Sequence, residues 1–405
     1  MDHQGSGKKL SDQTTSSSQN NPLKKVSQQV QKAVQTPTPN QQQKISRRQF
    51  FFLLIQTQIG VGVLSLPSDL HQVAKQDGWI SLAIAGSLLP IILIVLYFIA
   101  KQFPNDDFYQ INEKLFTRWG GVVFSILYII YFCMVARLIL LLFGRMISLW
   151  VLPNTPFWVL ALCMVVVGLY MCNGGLLVIA RFYTMVSILL IFLIVLMFLS
   201  FKEAHWMYLL PIGEVGIGKI LQGSTEAFMS FLGFFLSLVV FSKVEGKPRE
   251  KLKTILQAHL FTFSFYMLTL LISYSFFSTK ELSLVTEPLL YMLKSFEMPF
   301  VARIDLFFIS VWFVSVATSY TTYLYMASFG LQQIFRAKSI KLFTLIVSIL
   351  IFSLSQFVGL DMERLEKYST IVVYEGYALT FLMPFLLLVY VLIYKRIQQK
   401  KERST

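Results

Sequence analysis

QTQIGVGVLSLP, residues 56–67, is the stretch that most constrains the architecture of this chain. Gly60 and Gly62 lie two residues apart within an apolar run, and Pro67 follows them. A Gly costs a helix about 1 kcal/mol relative to Ala, and a Pro costs about 3 kcal/mol. The run is apolar enough to enter a membrane, so we predict a membrane helix that unwinds locally at these glycines.

Unwound backbone inside a bilayer is tolerated only where it lines a cavity or is buried in protein. Its N–H and C=O groups can then bind the carboxylate and ammonium of a solute, and the N-terminus of the next half-helix attracts an anion. Close helix packing through small residues is the alternative, but a two-residue glycine spacing fits the small-xxx-small pattern poorly. We therefore favour a break that forms a binding site.

The composition of the whole chain is that of a membrane protein. Of its 405 residues, 55% are hydrophobic and only 14% are charged, whereas soluble domains carry about 25% charged residues. In a soluble protein, the formal net charge of +14 would suggest nucleic acid as the partner. Here the basic residues lie in short loops and in both tails, which indicates membrane topology and argues against a nucleic-acid partner.

Ten segments are candidates for membrane-spanning helices, since a span needs about 20 mostly apolar residues. Backbone groups in lipid must be hydrogen-bonded internally, so each segment is predicted to be a helix. The ten spans are residues 48–74, 78–100, 119–148, 155–173, 176–200, 216–242, 252–277, 303–334, 340–358 and 372–394. With both termini in the cytoplasm, 25 Lys and Arg residues lie inside and 8 lie outside. This bias supports both the number of spans and the orientation.

The predicted domain is a ten-helix transmembrane unit over residues 45–396, with a tail at each end. Residues 1–44 are polar and low in complexity, so we expect a disordered cytoplasmic tail. Residues 397–405 form a short basic cytoplasmic tail. Two loops, residues 105–118 and 279–297, place apolar residues at helical spacing and are predicted to form amphipathic or plain connecting helices.

A second interruption lies in the sixth span, ILQGSTEAFMSFLGFFLSL, residues 220–238. Gly223, Ser230 and Gly233 interrupt its apolar run, and Glu226 lies among them. One interrupted helix thus opens each half of a ten-helix chain. This arrangement is typical of five-plus-five inverted repeats, in which the ligand site lies between two broken helices.

The segment IGVGVLSLP, residues 59–67, resembles the first-helix glycine motif of the amino acid–polyamine–organocation transporter superfamily. Within that superfamily the chain is similar to the spore germination permeases, the GerAB-like B subunits of endospore germinant receptors. The similarity extends over about residues 45–395 and includes AFMSFLGF, residues 227–234, and the Thr/Tyr-rich block of residues 297–335.

This resemblance implies an all-α integral membrane protein of about ten helices, with a LeuT-like five-plus-five inverted repeat and broken helices 1 and 6. It also implies a place in the inner membrane of a dormant spore. The family binds nutrient germinants, often amino acids, and assembles with receptor A and C subunits, so the same partners are expected here.

In a LeuT-like fold the pocket lies among helices one, three, six and eight. The candidate ligand-binding residues are Thr57, Gly60, Val61 and Gly62 of the first span, Ser230, Phe231 and Gly233 of the sixth, and Thr318, Thr321 and Thr322 of the eighth. Backbone amides of the first span are the predicted ligands of a carboxylate. The threonine hydroxyls could instead bond to carbonyls of their own helix and only bend it.

Ionisable groups inside a bilayer are costly and are therefore functional candidates. Arg137 lies deep in the third span and Glu226 lies near the second interruption, and we hypothesise that they form an ion pair. The sequence has no paired carboxylates, no metal-ligand spacing and no nucleotide-binding loop. We accordingly expect no catalytic residues, no metal and no cofactor, and we do not expect an enzyme.

Three functions remain open from the sequence. The first is a germinant-sensing subunit, and the second is a proton-coupled amino acid transporter that works alone by alternating access. The third is a structural or channel component with no ligand of its own. A pocket lined by Gly, Ser, Thr and Phe suits a small zwitterion with an apolar side chain, which favours the first two.

Overall fold

The computed structural model describes residues 44–60, 62–296 and 303–404. The predicted N-terminal tail therefore lies outside the described residues except for Lys44. Within the described residues the chain forms helices and loops, with one isolated β-bridge between Ile45 and Val244. The predicted all-α class is confirmed.

The helices follow one another in a simple order along the chain. Those of the first half are α1 Arg47–Gln58, α2 Gly62–Ala74, α3 Gly78–Gln102, α4 Phe108–Trp150, α5 Phe157–Asn173, α6 Gly175–Val186 and α7 Ile188–Leu199. Those of the second half are α8 Ile217–Ser230, α9 Leu236–Val239, α10 Pro248–Phe276, α11 Thr279–Leu282, α12 Pro288–Lys294, α13 Ile304–Ile334, α14 Lys341–Val358, α15 Met362–Gly376 and α16 Met383–Ser404. A π-helix, Tyr377–Leu382, joins the last two, and short 3₁₀ helices cover Lys75–Asp77, Ser200–Glu203, Trp206–Leu209 and Phe241–Lys243.

Each of the ten predicted spans is helical over most of its length. Among the described residues, seven helical stretches are long and apolar enough to cross a membrane, and α5 is a shorter apolar helix. Breaks lie within the predicted first and sixth spans, one between α1 and α2 and the other between α8 and α9. The placement of the helices and of the two breaks therefore agrees with the expected architecture.

Helix α13 lies at the centre of the bundle. Its residues from 315 to 330 are all buried, and it packs against α1, α4, α5 and α14. A helix that is buried all round belongs to the core of a bundle. In α14 and in the last span, only 28% of the most apolar window is buried, so these two elements lie at the periphery.

The predicted helix of the loop 105–118 is present as the first part of α4. Asp107 caps it, because its carboxylate accepts hydrogen bonds from the backbone N–H groups of Tyr109 and Gln110, both at 3.1 Å. The backbone at Thr117 is not helical and has a φ of +65°. The kink there separates the connecting helix from the long membrane-spanning part of α4.

Candidate functional site at the two helix breaks

The first break separates α1 from α2. Ile59 follows α1 in an extended conformation (φ −81°, ψ 92°), Gly60 forms a bend, and the helix resumes at Gly62. The predicted unwinding is therefore confirmed at Ile59 and Gly60. Val61, one of the predicted ligand-binding residues, lies outside the described residues.

Two neighbouring helices supply hydrogen-bond donors to the backbone of the first break. The indole Nε1–H of Trp312, in α13, donates to the Gly60 carbonyl at 3.1 Å. The hydroxyl of Tyr266, in α10, donates to the Gln58 carbonyl at 2.7 Å. Both donors are buried, and a buried carbonyl without a donor costs about 1–3 kcal/mol. These two bonds therefore stabilise the unwound conformation.

The second break separates α8 from α9 and lies against α1. Residues 231–235 form turns between the two helices, and Gly233 has a φ of +108°, which favours glycine. A Cβ at Gly233 would lie 2.8 Å from Cγ2 of Thr57, so no larger residue fits without a shift. The predicted break in the sixth helix is confirmed, and the chain brings both breaks together.

The two glycines of the first break face different surroundings. A Cβ at Gly60 would lie 2.5 Å from Oγ of Ser319, in α13. A Cβ at Gly62 would meet its nearest neighbours, atoms of Ser230, at 3.7 Å, which is an ordinary van der Waals distance. Gly60 therefore permits the close approach of α13, whereas Gly62 faces the last residue of α8 with room for a small group.

The predicted threonines of α13 join a buried hydrogen-bond network with α1 and α6. Oγ1 of Thr322 lies 3.0 Å from Oγ1 of Thr57 and 2.9 Å from the hydroxyl of Tyr183. The hydroxyl of Thr318 lies 3.1 Å from the Gln56 carbonyl. Both threonine hydroxyls also lie within hydrogen-bonding distance of carbonyls three or four residues earlier in α13. These hydroxyls have protein partners, and a role for them in ligand binding stays a prediction.

The remaining predicted residues lie in different surroundings. Ser230 is half-buried at the end of α8, beside Gly62. Thr321 is buried, and its carbonyl accepts a hydrogen bond from Sγ of Cys172 at 3.4 Å. Phe231 is fully buried, and its ring packs edge-on against Tyr266 with 5.5 Å between centroids. Phe231 thus packs the start of the second break against α10.

The start of α1 is joined to the segment that follows α9. The Ile45 N–H donates to the Lys243 carbonyl at 2.9 Å, and the Glu245 N–H donates to the Ile45 carbonyl at 2.9 Å. Arg47 and Glu250 form an ion pair of 3.6 Å nearby. Ile45 is fully buried. These contacts fix the α1 and α9 halves of the two broken helices to each other.

Two buried polar groups carry no signal in the sequence. Tyr131, in α4, is buried, and its hydroxyl has no hydrogen-bond partner in the described part of the chain. A Cβ at Gly376 would lie 3.1 Å from that hydroxyl. Oε1 of Gln58, at the end of α1, is also buried without a partner there. Such atoms are candidates to bind a solute or an ordered water, but nothing marks Tyr131 among the 18 tyrosines of the chain.

Arg137 and Glu226 do not form the hypothesised ion pair. The Arg137 guanidinium donates to the Leu354 carbonyl, in α14, at 2.6 Å and lies 4.6 Å above the ring of Tyr368, in α15. Glu226 is exposed on α8, which packs against α2 and α3. The five ion pairs formed among the described residues include neither residue. The hypothesis is wrong because the two side chains face different helices. The groups that contact the Arg137 guanidinium are the Leu354 carbonyl and the ring of Tyr368.

Comparison with known sequences relates the chain to germination proteins. The family described as "Spore germination protein" matches residues 44–358. Spore germination protein YndE of Bacillus subtilis (strain 168) is 28% identical over 306 residues, which cover 74% of this chain and 83% of that protein. Spore germination protein A2 of the same organism is 27% identical over 363 residues, which cover 88% of this chain and 98% of that protein.

Comparison with solved structures relates the fold to transporters. A manganese transporter of Eremococcus coleocola matches with a TM-score of 0.57 at 15% identity, over 85% of this chain and 76% of that chain. A Na⁺-coupled sialic acid symporter matches with a TM-score of 0.59 at 12% identity, over 87% and 82% of the two chains. At such low identity the similarity concerns the fold alone, and it confirms the expected LeuT-like architecture.

Proposed function

Because the chain belongs to the spore germination protein family and is a multi-pass membrane protein, we propose that it is the membrane subunit of a germinant receptor and binds an amino acid between its helix breaks. In this proposal it assembles with the A and C subunits of the receptor in the inner membrane of the spore, with both termini in the cytoplasm. The names of the relatives YndE and A2, both spore germination proteins, support the biological role.

The observation that carries the proposal is the meeting of two opposite helix ends. Helix α2 begins at Gly62, α8 ends at Ser230, and a Cβ at Gly62 would lie 3.7 Å from Ser230. The start of a helix has unpaired N–H groups and a partial positive charge, and the end has unpaired C=O groups and a partial negative charge. A zwitterion here places its carboxylate at the amides of α2 and its ammonium at the carbonyls of α8.

The surroundings of α8 near its end favour a ligand with a small apolar side chain. The ring of Phe228 packs against that of Phe381 with 5.1 Å between centroids, and Phe381 in turn packs against Phe234 at 5.5 Å. Apolar walls with a few placed polar groups are typical of small-molecule sites. A sugar would leave several hydroxyl groups unpaired against these rings.

A thermal-shift screen of the purified chain tests ligand binding. Amino acids, sugars and nucleosides are added in turn, and the midpoint of thermal unfolding is recorded. Binding to the folded state alone stabilises it by about 2.7 kcal/mol at one hundred times the Kd. We expect a concentration-dependent rise in the midpoint with one or a few apolar amino acids. If none of the amino acids raises the midpoint, the proposed ligand class is wrong.

Variants of Gly62 locate the binding site. Gly62→Ala should keep most of the response, because its Cβ meets its neighbours at an ordinary distance, whereas Gly62→Val fills the space beside Ser230 and should abolish the response. Gly218→Ala, a glycine of α8 with no atom within 4 Å of the added Cβ, is the matched control. A full response in folded Gly62→Val protein would place the ligand elsewhere.

Transport by alternating access is the second candidate function, favoured by the likeness of the fold to transporters. Sensing needs an opening on only one side of the site, whereas transport needs the α1 and α9 halves, joined through Ile45 and Lys243, to separate. Uptake of a radiolabelled amino acid by proteoliposomes discriminates between the two. Saturable accumulation driven by a proton gradient would establish transport, and ligand binding without accumulation would support sensing.

A further inference from the structure

We propose that the chain binds one anionic phospholipid on the flank of the helix bundle, in a site made of an apolar groove and an adjoining polar pocket. The groove holds an acyl chain and the pocket holds the phosphate-bearing headgroup. This site is separate from the helix breaks, so the proposal does not depend on the function proposed above.

The apolar groove lies between α4 and α14, with the last turns of α13 and a residue of α15 completing its wall. Its volume is about 700 Å³. Its lining is hydrocarbon over most of the surface, from side chains such as Ile126, Ile130 and Leu350, and two arginines, Arg118 and Arg137, line it along α4. An apolar surface of this size on a membrane protein faces lipid or a partner helix.

The dimensions of the groove can accommodate an acyl chain. From Arg118 to Arg137 the helix rises about 28 Å at 1.5 Å per residue, which is close to the roughly 30 Å thickness of the hydrocarbon core. A volume of about 700 Å³ over that length gives a mean cross-section of about 25 Å². The groove is thus wide enough for an extended hydrocarbon chain.

A polar pocket adjoins the groove at the Arg118 end. It has a volume of about 300 Å³ and shares Arg118, Val122 and Ile334 with the groove. Hydrogen-bonding side chains line the rest of it, among them Gln110 and Gln333. The two cavities therefore form one amphipathic site, with an apolar arm and a polar end.

The charge at the polar end suits an anion. Arg336 and Glu113 both line the pocket and form an ion pair with each other, whereas Arg118 forms none among the residues that the structure describes. The pocket therefore carries one uncompensated positive charge. The kink at Thr117 also makes Arg118 the start of the membrane-spanning part of α4, so the positive end of that helix adds to the attraction.

The position of the pocket matches the leaflet in which anionic headgroups are concentrated. The distribution of Lys and Arg predicts that the Arg118 end of α4 is cytoplasmic. Basic pockets between helices on that side are typical binding sites for anionic headgroups. Trp119, 81% exposed next to Arg118, lies where an aromatic side chain is favoured at the membrane–water interface.

Native mass spectrometry of the purified full-length chain tests the headgroup contact. The delipidated protein is titrated with phosphatidylglycerol or with phosphatidylcholine, and the number of tightly bound lipids is counted. We expect one phosphatidylglycerol, bound about fivefold more tightly than phosphatidylcholine, and a loss of that preference in Arg118→Gln. Arg181→Gln, which removes an exposed cation outside both cavities, should leave the preference unchanged.

A pair of tryptophan substitutions tests the acyl-chain arm. Ile130→Trp fills the groove and should reduce bound phosphatidylglycerol at least fivefold. Leu127→Trp is the matched control, because Leu127 is on the same helix and similarly exposed (47% against 50% for Ile130) but does not line the groove. Both positions are exposed, so both variants should elute as folded protein and unfold near the midpoint of the unmodified chain.

Several results would overturn the proposal. Equal binding of the two lipids, or no effect of Arg118→Gln, would remove the headgroup contact. Equal binding in the Ile130→Trp and Leu127→Trp variants would place the lipid outside the groove. A rise in the thermal midpoint with inorganic phosphate as large as that with phosphatidylglycerol would indicate an anion site with no lipid. Displacement of the lipid by a receptor partner's transmembrane segment would show that the groove belongs to a protein interface.

Discussion

The two helix breaks differ in how their unwound backbone is hydrogen-bonded. At the first, donors come from other helices, with Trp312 bonded to the Gly60 carbonyl and Tyr266 to the Gln58 carbonyl. At the second, the backbone bonds to itself through tight turns, such as the Phe231 N–H to the Phe228 carbonyl at 3.1 Å. The conformation of the first break therefore depends on side chains of neighbouring helices. The conformation of the second depends on hydrogen bonds within its own backbone.

This difference predicts how each break responds to motion. A segment held by side chains of α10 and α13 moves when those helices move, whereas a segment held by its own turns moves as a unit. A ligand can bias a conformational equilibrium only through contacts that differ between the two states. We therefore expect the first break to couple ligand binding to the surrounding helices, and the second to act as a rigid wall.

The largest effect is expected from Gly233→Ala, which distorts the backbone at the second break. The new Cβ would lie 2.8 Å from Cγ2 and 3.0 Å from the carbonyl oxygen of Thr57, in a backbone conformation with φ +108°. Overpacking and backbone strain together should cost about 2–5 kcal/mol. The lower midpoint of thermal unfolding in detergent measures this loss.

Gly213→Ala separates the two causes of that loss. Gly213 also has a positive φ, +83°, but no atom lies within 4 Å of an added Cβ. Its substitution should therefore cost only the backbone strain, about 1–3 kcal/mol. If both variants lose the same stability, contact with α1 contributes nothing to the second break.

The next effect is expected from Trp312→Phe, which removes the donor to the Gly60 carbonyl. The Gly60 carbonyl then keeps only the 3.4 Å bond from the Val63 N–H, and the smaller ring leaves part of the buried indole site empty, so we expect a loss of about 1–3 kcal/mol. Trp158→Phe, at a position 53% exposed, is the control and should change stability by less than about 0.5 kcal/mol. Thermal unfolding of both variants measures the difference, and equal midpoints would argue that the indole N–H is dispensable.

A smaller effect is expected from Tyr266→Phe, which removes the donor to Gln58. The phenyl ring keeps its packing but the Gln58 carbonyl loses its donor, so we expect a loss of about 1–2 kcal/mol. Tyr320→Phe is a close control, because Tyr320 is also fully buried but its hydroxyl has no partner in the described part of the protein. That change should be neutral or stabilising. A loss in Tyr320→Phe as large as in Tyr266→Phe would assign both effects to packing.

A pH-dependent effect is expected at Lys243, where the segment after α9 meets the start of α1. Burial lowers the pKa of Lys243 from 10.5 to about 8, and its Nζ lies 3.4 Å from the centroid of the Phe329 ring. The unfolded chain then binds more protons than the folded chain between these pH values, so stability rises as the pH increases from about 8 to about 10.5.

Lys243→Met should remove this part of the pH dependence. The difference between the midpoints of the unmodified chain and the variant is the measurement, since other titrating groups contribute to both. We expect the difference to change across pH 8 to 10.5, in the direction of relative stabilisation of the unmodified chain as the pH rises. A constant difference over that window would mean that Lys243 titrates normally.

The positions of the two breaks could be predicted because helix propensity depends on a residue's own backbone. Gly60, Gly62 and Gly233 weaken a helix wherever they occur, so their place in apolar runs was enough. Their individual roles could not be predicted. The contacts that distinguish Gly60 from Gly62 come from Ser319 and Ser230, which lie far away in the sequence.

The polar groups of the site show the same limit. The sequence identifies Thr57 and Thr322 separately as candidate ligands, and it does not show that their hydroxyls lie 3.0 Å apart across 265 residues. The sequence also predicts a pair of Arg137 and Glu226, whereas Arg137 bonds to the Leu354 carbonyl. Sequence pattern shows that a buried polar group needs a partner, but the rotation of each helix selects which partner it meets.

Hydropathy, the distribution of Lys and Arg, and the glycine spacing were enough to establish an all-α membrane protein with two interrupted helices, because each of these signals is local to its segment. The pairing of the breaks, the donors that satisfy them and the amphipathic groove beside α4 follow only from the packing of the helices. Packing brings together side chains hundreds of residues apart, and no local pattern in the chain records those contacts.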